Sequence, residues 1–264
     1  MPALPPPEPR PSATILLVRE GAPGLEVFMV ERHHQIDFAT GAMVFPGGKV
    51  DPGDADPALA ARCRGAAADP AFRAVQVAAI RETFEECGVL LARPRGSAVL
   101  VDAGRLRSIE ARHRDALNRD ATTLPAIAEA EDLELACDLL VPFAHWITPE
   151  FMPRRFDTHF FLVAAPPDHV AVHDGGESVD SLWITPAAAV AEAESRRRTI
   201  IFPTLMNLKK LGRSACVADA LAAARGAPVV TVLPLVARTD AGPVMRLPAE
   251  AGYDVVEAPL DAVR

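Results

Sequence analysis

Short runs of apolar and β-branched residues along the chain are typical of β-strands. Residues 14–18 and 25–31 are two such runs, and the glycine-bounded turn at 21–24 between them predicts a β-hairpin. Residues 43–45 predict a short strand that leads into a Pro-Gly-Gly loop. Further strands are predicted at residues 143–148, 156–165, 182–185, 229–236 and 244–247.

Residues 70–88 predict a helix with two different faces. Pro70 favours a helix start, and Gly88 favours a helix end. At about 100° per residue, apolar side chains fall on one side and acidic side chains on the other. The apolar face consists of Val77, Ile80, Phe84 and Cys87, and the acidic face of Glu82, Glu85 and Glu86. One face is therefore core, and the other carries negative charge towards a site.

The predicted elements fit one α/β domain with a short tail. Other helices are predicted at residues 105–119, 125–140, 186–194, 204–211 and 214–225. Mixed strands with helices on both sides predict an α/β/α sandwich. The proline-rich residues 1–12 are expected to be a disordered tail, and residues 13–264 a single domain. Insertions are expected at about residues 55–70 and 103–140.

Composition and charge exclude several classes of protein. Half of the 264 residues are hydrophobic, which provides a sizeable core, and the net charge of −8 argues against a protein that coats nucleic acid. The four cysteines include no C-x-x-C pair, and no apolar run approaches the ~18 residues of a membrane helix. The N-terminus lacks the apolar core of a signal peptide. We therefore expect a cytoplasmic protein without a nucleic-acid or membrane partner.

The acidic face of the helix over 70–88 is the main candidate for chemistry. Its glutamates stand at positions i, i+3 and i+4, where like charges destabilise a helix by a few tenths of a kcal/mol per pair. A cation on this face would reverse the effect. Arg81, four residues before Glu85, is one candidate, and a divalent metal is the other. The alternative is an acidic helix face that is simply solvated.

These residues and the upstream Gly48 resemble the Nudix box, the signature of the Nudix hydrolases. Gly48 opens the box, and the residues that close it are Arg81, Glu82, Glu85, Glu86, Gly88 and Val89. Asp54 stands where the first glutamate is expected, and Thr83 replaces a bulky apolar residue. Residues 55–80 interrupt the box. An interrupted box is familiar in the branch of acyl-coenzyme A diphosphatases.

The resemblance implies a Nudix-type α/β/α sandwich that hydrolyses a diphosphate with Mg²⁺ or Mn²⁺. The implied metal ligands are Glu82, Glu85, Glu86 and the backbone carbonyl of Gly48. Arg81 would orient the glutamates through ion pairs. Gly47 would let the backbone approach the substrate phosphates, because a residue without a side chain leaves that space open.

The general base and the substrate ligands are less closely tied to the box. Many family members use a glutamate on a loop before a strand that carries a tryptophan, which here is Glu177, with Asp174 behind it. Glu82 is the alternative base. Arg154 and Arg155 would bind the diphosphate, because guanidinium groups suit paired phosphate oxygens. For Arg155 the alternative is an ion pair with Asp157.

The branch resemblance implies cleavage of coenzyme A or acyl-coenzyme A to 3′-phospho-AMP and 4′-phosphopantetheine or its acyl form. The same chemistry would act on another nucleoside diphosphate derivative, such as ADP-ribose or NADH. A catalytically silent nucleotide-binding module is a further alternative, although all three box glutamates are present. The sequence is compatible with a homodimer.

Overall fold

A computed structural model describes residues 6–32, 41–173, 178–240 and 242–259. Its strands, in chain order, are β1 (Arg10–Gly21), β2 (Gly24–Arg32), β3 (Ala42–Val44), β4 (Gly47–Lys49), β5 (Ala92–Pro94), β6 (Leu133–Leu135), β7 (Val141–Ile147), β8 (Phe156–Ala164), β9 (Ser178–Ile184), β10 (Thr199–Ile200), β11 (Thr231–Val232), β12 (Leu235–Thr239), β13 (Gly242–Arg246) and β14 (Glu257–Pro259). Its helices are α1 (Pro70–Cys87), α2 (Ala103–Leu117), α3 (Leu124–Ala130), α4 (Pro186–Glu194), α5 (Phe202–Leu211) and α6 (Val217–Gly226).

A mixed β-sheet, with nine strands among the described residues, forms the centre of the molecule. Seven of its strands follow the order β10-β3-β2-β1-β8-β7-β11, with β4 also paired to β1 and β9 to β2. Strand β1 runs antiparallel to β2 and to β4 and parallel to β8. Two smaller sheets consist of β12-β13-β14 and of β5-β6. The central position of β1 brings β4 and β8, which are far apart in sequence, to its two edges.

Helices cover both faces of the main sheet, which confirms the predicted α/β/α sandwich. Side chains alternate between faces along β1. Ile15 and Leu17 pack into one core with α1 and the segment between α1 and β7. Leu16 and Val18 pack into a second core with α4, α5 and α6. None of the helices formed by the described residues combines the length and apolarity that crossing a membrane would require.

The ends of α1 follow from its local sequence. Asp69 caps the N-terminus, where its side chain accepts a hydrogen bond from the N–H of Phe72 at 3.0 Å. Pro70 occupies the first turn, where its missing N–H is not needed. Gly88 ends the helix in the left-handed region, with a φ of 69°. The predicted apolar face is fully buried. The predicted helix and the observed one therefore agree.

The prediction of a helix over residues 125–140 is wrong beyond Ala130, where α3 ends. Asp132 adopts a φ of 47°, which ends helical geometry, and β6 follows. Strand β6 pairs antiparallel with β5, so a partner distant in sequence decides the conformation of this segment. Two short 3-10 helices lie at the first insertion: Pro52–Ala55 leads into it, and Pro57–Arg62 lies within it.

Two other predicted boundaries are corrected. The predicted tail of residues 1–12 overlaps strand β1, which pairs with β8 from Arg10 and with β4 from Ser12. The single strand predicted over 229–236 is divided. Its first part, β11, joins the main sheet beside β7, whereas Leu235 begins β12 in the separate three-stranded sheet.

Candidate active site and metal centre

Strand β4 brings two glycines against the C-terminal half of α1. The backbone N–H of Gly47 donates a hydrogen bond to Glu86 Oε2 at 2.9 Å. A Cβ atom on Gly47 would lie 2.3 Å from the carbonyl oxygen of Ala13, and one on Gly48 would lie 2.2 Å from Glu82 Oε1. Only residues without a side chain allow β4 to approach both β1 and α1 this closely.

Arg81 is the buried centre of this cluster. Its Nε and Nη2 atoms donate to the two carboxylate oxygens of Asp54 at 2.9 and 3.0 Å. Its Nη1 atom donates to Glu82 Oε1 at 3.0 Å and to Glu85 Oε2 at 2.6 Å. Nη2 also donates to the carbonyl oxygen of Lys49 at 2.7 Å. One guanidinium group therefore fixes three carboxylates and the end of β4.

Asp54 brings the first part of the interrupted motif to the second. It lies in a 3-10 helix, is only 2% exposed, and also accepts a hydrogen bond from the N–H of Asp51 at 2.8 Å. Its paired contacts with Arg81 join residues 27 positions apart. The two parts of the interrupted Nudix-like box are therefore in contact in the folded chain, although the interruption separates them in sequence.

The cluster holds more negative than positive charge. Burial raises the pKa of Glu85 to about 8 against the opposing charge of Arg81, and the charge of Glu82 raises it further. Burial also raises the pKa of Asp54, although Arg81 acts in the opposite direction. One guanidinium group thus serves several carboxylates and leaves negative charge uncompensated, which favours a cation at this position.

The oxygen donors at this position fit a hard divalent cation. Glu82, Glu85 and Glu86 supply carboxylate oxygens beside the backbone of Gly48, and Mg²⁺ prefers oxygen ligands. The side chains of Glu82 and Glu85 are 14% and 16% exposed, so an ion can reach them from solvent. The chemistry of the donors therefore agrees with a magnesium-type centre.

Comparison with known families shows to which family the chain belongs. A family model described as the NUDT19 Nudix domain matches residues 60–211, which is more than half of the chain. The chain belongs to the Nudix hydrolase family. The matched segment contains α1 with all three box glutamates, and it also spans the insertion between α1 and β7.

Individual Nudix proteins give the same result. A putative nudix hydrolase 7 of Caenorhabditis elegans is 29% identical over 187 residues, covering 71% of this chain and 56% of that protein. Human acyl-coenzyme A diphosphatase NUDT19 is 29% identical over 195 residues, covering 70% of this chain and 51% of that protein. The chain thus spans little more than half the length of these two curated relatives.

A solved structure shows the same fold. The crystal structure of a NUDIX hydrolase from Alicyclobacillus acidocaldarius superposes with a TM-score of 0.67 at 30% sequence identity. The match covers 81% of this chain and 96% of that one. The Nudix-type sandwich implied by the interrupted box is therefore confirmed.

A cavity of about 300 Å³ lies beside the Nudix centre. Asp54, Arg81 and Glu85 form one wall, and the opposite wall comes from the segment 117–125 between α2 and α3. The sequence predicted an insertion over residues 103–140, but it did not single out the residues that line the cavity. Leu117 and Thr123 belong to no recognisable motif, so only the folded chain reveals their position.

Three further site residues were predicted from the sequence: Arg154, Arg155 and Glu177. Arg155 is not free to bind a diphosphate with its whole guanidinium group, because Nε donates to the Thr148 carbonyl at 3.0 Å and Nη1 to the Pro7 carbonyl at 2.9 Å. Arg154 is exposed at the start of β8. The predicted base, Glu177, lies outside the described residues.

Proposed function

We propose that the protein hydrolyses the diphosphate bond of coenzyme A or acyl-coenzyme A in a Mg²⁺-dependent reaction. The products are 3′-phospho-AMP and 4′-phosphopantetheine or its acyl form. The carboxylate cluster that Arg81 organises beside the two glycines of β4 carries this proposal. A relative named as an acyl-coenzyme A diphosphatase supports the choice of substrate.

Each residue of the cluster has a separate task in this reaction. Glu82, Glu85 and Glu86 hold the ion together with the carbonyl oxygen of Gly48. When bound, Mg²⁺ supplies positive charge to the diphosphate and polarises a water molecule. Arg81 keeps the glutamates in position through its ion pairs. Mn²⁺ has a similar preference for oxygen ligands and is expected to substitute for Mg²⁺.

The proton of the attacking water goes to Glu177 in this proposal. Val172, five residues before Glu177 in sequence, is attached to the end of α1, because its N–H donates to the Cys87 carbonyl at 3.0 Å. This attachment supports Glu177 as the base. Glu82, which already lies within the cluster, is the alternative base.

The substrate extends from the Nudix centre into the neighbouring cavity. A volume of about 300 Å³ is at the lower end of the range typical for small-molecule sites. The segment 117–125 therefore helps to select the group attached to the diphosphate. Arg154 binds the diphosphate oxygens from the exposed start of β8, while Arg155 fixes that strand end through its backbone contacts.

We also propose that the protein is located in the cytoplasm and forms a homodimer. Fluorescent tagging of the full chain would show the compartment. Size-exclusion chromatography with light scattering would give the mass of the particle in solution.

Product analysis tests the reaction and the substrate together. The protein is incubated with Mg²⁺ and, separately, with coenzyme A, an acyl-coenzyme A, ADP-ribose, NADH and a dinucleoside polyphosphate, and products are identified by mass spectrometry. We expect 3′-phospho-AMP from the first two. The Glu86→Gln variant is expected to lose activity by a factor on the order of 10² or more, because one charged group of the centre is removed.

The outcomes separate the parts of the proposal. Cleavage of ADP-ribose in preference to coenzyme A would contradict the substrate assignment alone. Absence of turnover with every compound would contradict the enzymatic function. Full activity in Glu86→Gln would show that Glu86 is not a ligand of the metal.

A further inference from the structure

A second group of metal-ligand side chains lies on β7 and β8, away from the Nudix box. His145 and His159 stand directly opposite each other in the antiparallel pair. Asp157 precedes His159 by two residues, so both side chains project from the same face of β8. The potential ligand atoms of the three residues all lie within 4.8 Å of one another.

The two imidazole rings are held by contacts on several sides. They stack on each other with centroids 3.9 Å apart and planes 5° from parallel. His145 Nδ1 shares a hydrogen bond with Thr231 Oγ1 at 2.9 Å, and its Nε2 atom contacts Asp157 Oδ1. Phe72 of α1 packs edge-on against His159, with centroids 5.0 Å apart. An outer partner on one imidazole nitrogen is typical of histidines that bind metal through the other.

His159 is the member of the cluster with spare binding capacity. Within the described part of the chain, no hydrogen bond to its ring nitrogens is found. All three residues are partly exposed, so an ion in solvent has access to them.

The cluster is separate from the Nudix centre. Ala13 of β1 is paired with Gly48 on one side and with His159 on the other. Two strand spacings therefore separate Gly48 from His159, a distance of about 10 Å between backbones. Ions that act together in two-metal catalysis lie about 4 Å apart. A cation at the histidine cluster would therefore be separate from the one proposed for the Nudix centre.

We propose that His145, Asp157 and His159 bind a divalent transition-metal ion of the Zn²⁺ class, independently of the Mg²⁺ in the Nudix centre. Two imidazoles and one carboxylate are a ligand set that zinc and related ions accept, whereas Mg²⁺ prefers oxygen alone. Donor atoms around tetrahedral zinc lie about 3.4 Å apart, given bonds of about 2.1 Å. The lone pairs of the two stacked rings lie in nearly parallel planes, so zinc binding requires the rings to tilt out of their stack, and solvent supplies the fourth ligand.

The competing interpretation is a His145–Asp157 ion pair with His159 stacked on it and no metal. The two interpretations differ in what they require of His159. A metal needs its nitrogen atom, whereas an ion pair needs only a flat ring beside His145. Substitution of His159 by glutamine or phenylalanine therefore distinguishes them.

Zinc titration of the tag-free, full-length protein tests the proposal. After treatment with a chelator, Zn²⁺ binding is measured by calorimetry in the presence of excess Mg²⁺. We expect one Zn²⁺ per chain at this cluster, retained in Glu86→Gln. We expect at least tenfold weaker binding in His159→Gln and in Asp157→Asn. His113→Ala is the matched control, because this histidine also contacts a carboxylate, Glu131, at 2.7 Å.

Nuclear magnetic resonance of the unmodified chain avoids any dependence on the folding of variants. With ¹⁵N-labelled histidine, Zn²⁺ is expected to shift the ring signals of His145 and His159 while Mg²⁺ leaves them unchanged. Zinc binding that survives in His159→Gln, or that disappears in Glu86→Gln, would overturn the proposal. Unshifted histidine signals at saturating Zn²⁺ would overturn it as well.

Discussion

Gly47 and Gly48 are neighbours in β4, but a side chain would meet different obstacles at the two positions. At Gly47 the obstacle is the backbone of β1, and the φ of 154° is one that other residues rarely adopt. At Gly48 the obstacle is the end of the Glu82 side chain, which can move. The first glycine is therefore required by the fold, and the second by the position of a glutamate in the site.

Alanine substitutions should separate these two roles. We expect Gly47→Ala to lower the free energy of unfolding by about 2 kcal/mol or more, because backbone atoms cannot give way. Gly48→Ala should change stability by less than about 1 kcal/mol, yet weaken Mg²⁺ binding by about tenfold, since Glu82 is displaced. Urea unfolding and calorimetric Mg²⁺ titration measure the two effects. The reverse order of stabilities would show that β4 does not contact β1 as described.

If Glu85 is a ligand of the metal, as proposed, metal binding should depend on pH. Burial raises its pKa to about 8 without a metal, so its carboxyl group carries a proton at pH 7 for most of the time. A bound cation favours the ionised form, and binding therefore releases this proton. We expect the apparent Mg²⁺ affinity to rise as the pH increases from 6 to 8.

Calorimetry in two buffers with different ionisation enthalpies would count the released proton. Glu85→Gln has no proton to release and provides the control. An affinity that stays constant between pH 6 and 8, or the same proton release in Glu85→Gln, would contradict this role of Glu85.

At the scale of elements, α2 supports the C-terminal end of α1. Arg114 of α2 donates from Nε to the Glu85 carbonyl at 3.1 Å, and it also pairs with Glu110 at 3.2 Å. Its Nη2 atom donates to the carbonyl of Val172 at 3.3 Å. A cation near helix carbonyls stabilises the helix end. The insertion therefore holds the end of α1 as well as lining the cavity.

Substitution of Arg114 by alanine tests this support. We expect the free energy of unfolding to fall by about 1 kcal/mol, because a partly buried carbonyl loses a charged donor. We also expect both kcat and the affinity for Mg²⁺ to fall, since the last turn of α1 carries Glu85 and Glu86. Arg107→Ala, at an exposed position on the same helix, should leave all three quantities unchanged. Equal effects of the two substitutions would contradict the proposed support.

The sequence predicts an element well when the residues that fix its conformation lie within the element itself. It fails where a strand or contact depends on a partner that is distant in sequence. Helix α1 has its cap, its proline, its apolar face and its terminal glycine within 20 consecutive residues. The segment after Ala130 forms β6 only because β5 lies beside it. The same difference applies in the site. The glutamate spacing was visible in the sequence, whereas the contact of Asp54 with Arg81 depends on how the interruption folds.

At the scale of the molecule, one buried network ties the C-terminal region to the main sheet. Trp146 of β7 donates from Nε1 to the hydroxyl of Tyr253 at 2.8 Å, and that hydroxyl donates to Asn207 Oδ1 of α5 at 2.7 Å. All three side chains are buried. Because the network joins a strand, a helix and the segment between β13 and β14, these parts are expected to unfold together.

Removing the Tyr253 hydroxyl should therefore destabilise the whole molecule. Tyr253→Phe removes the partner of two buried side-chain groups, the indole N–H of Trp146 and Oδ1 of Asn207. We therefore expect the free energy of unfolding to fall by about 2 kcal/mol or more. Ser108→Ala also removes a hydroxyl, but at an exposed position, and should change stability by less than about 0.5 kcal/mol. Urea unfolding followed by both tryptophan fluorescence and circular dichroism measures the effect. Coincident transitions are expected in both variants, because the network joins the C-terminal region to β7 of the main sheet and to α5. A separate early transition in the unmodified protein would show instead that the C-terminal region folds independently of the Nudix core.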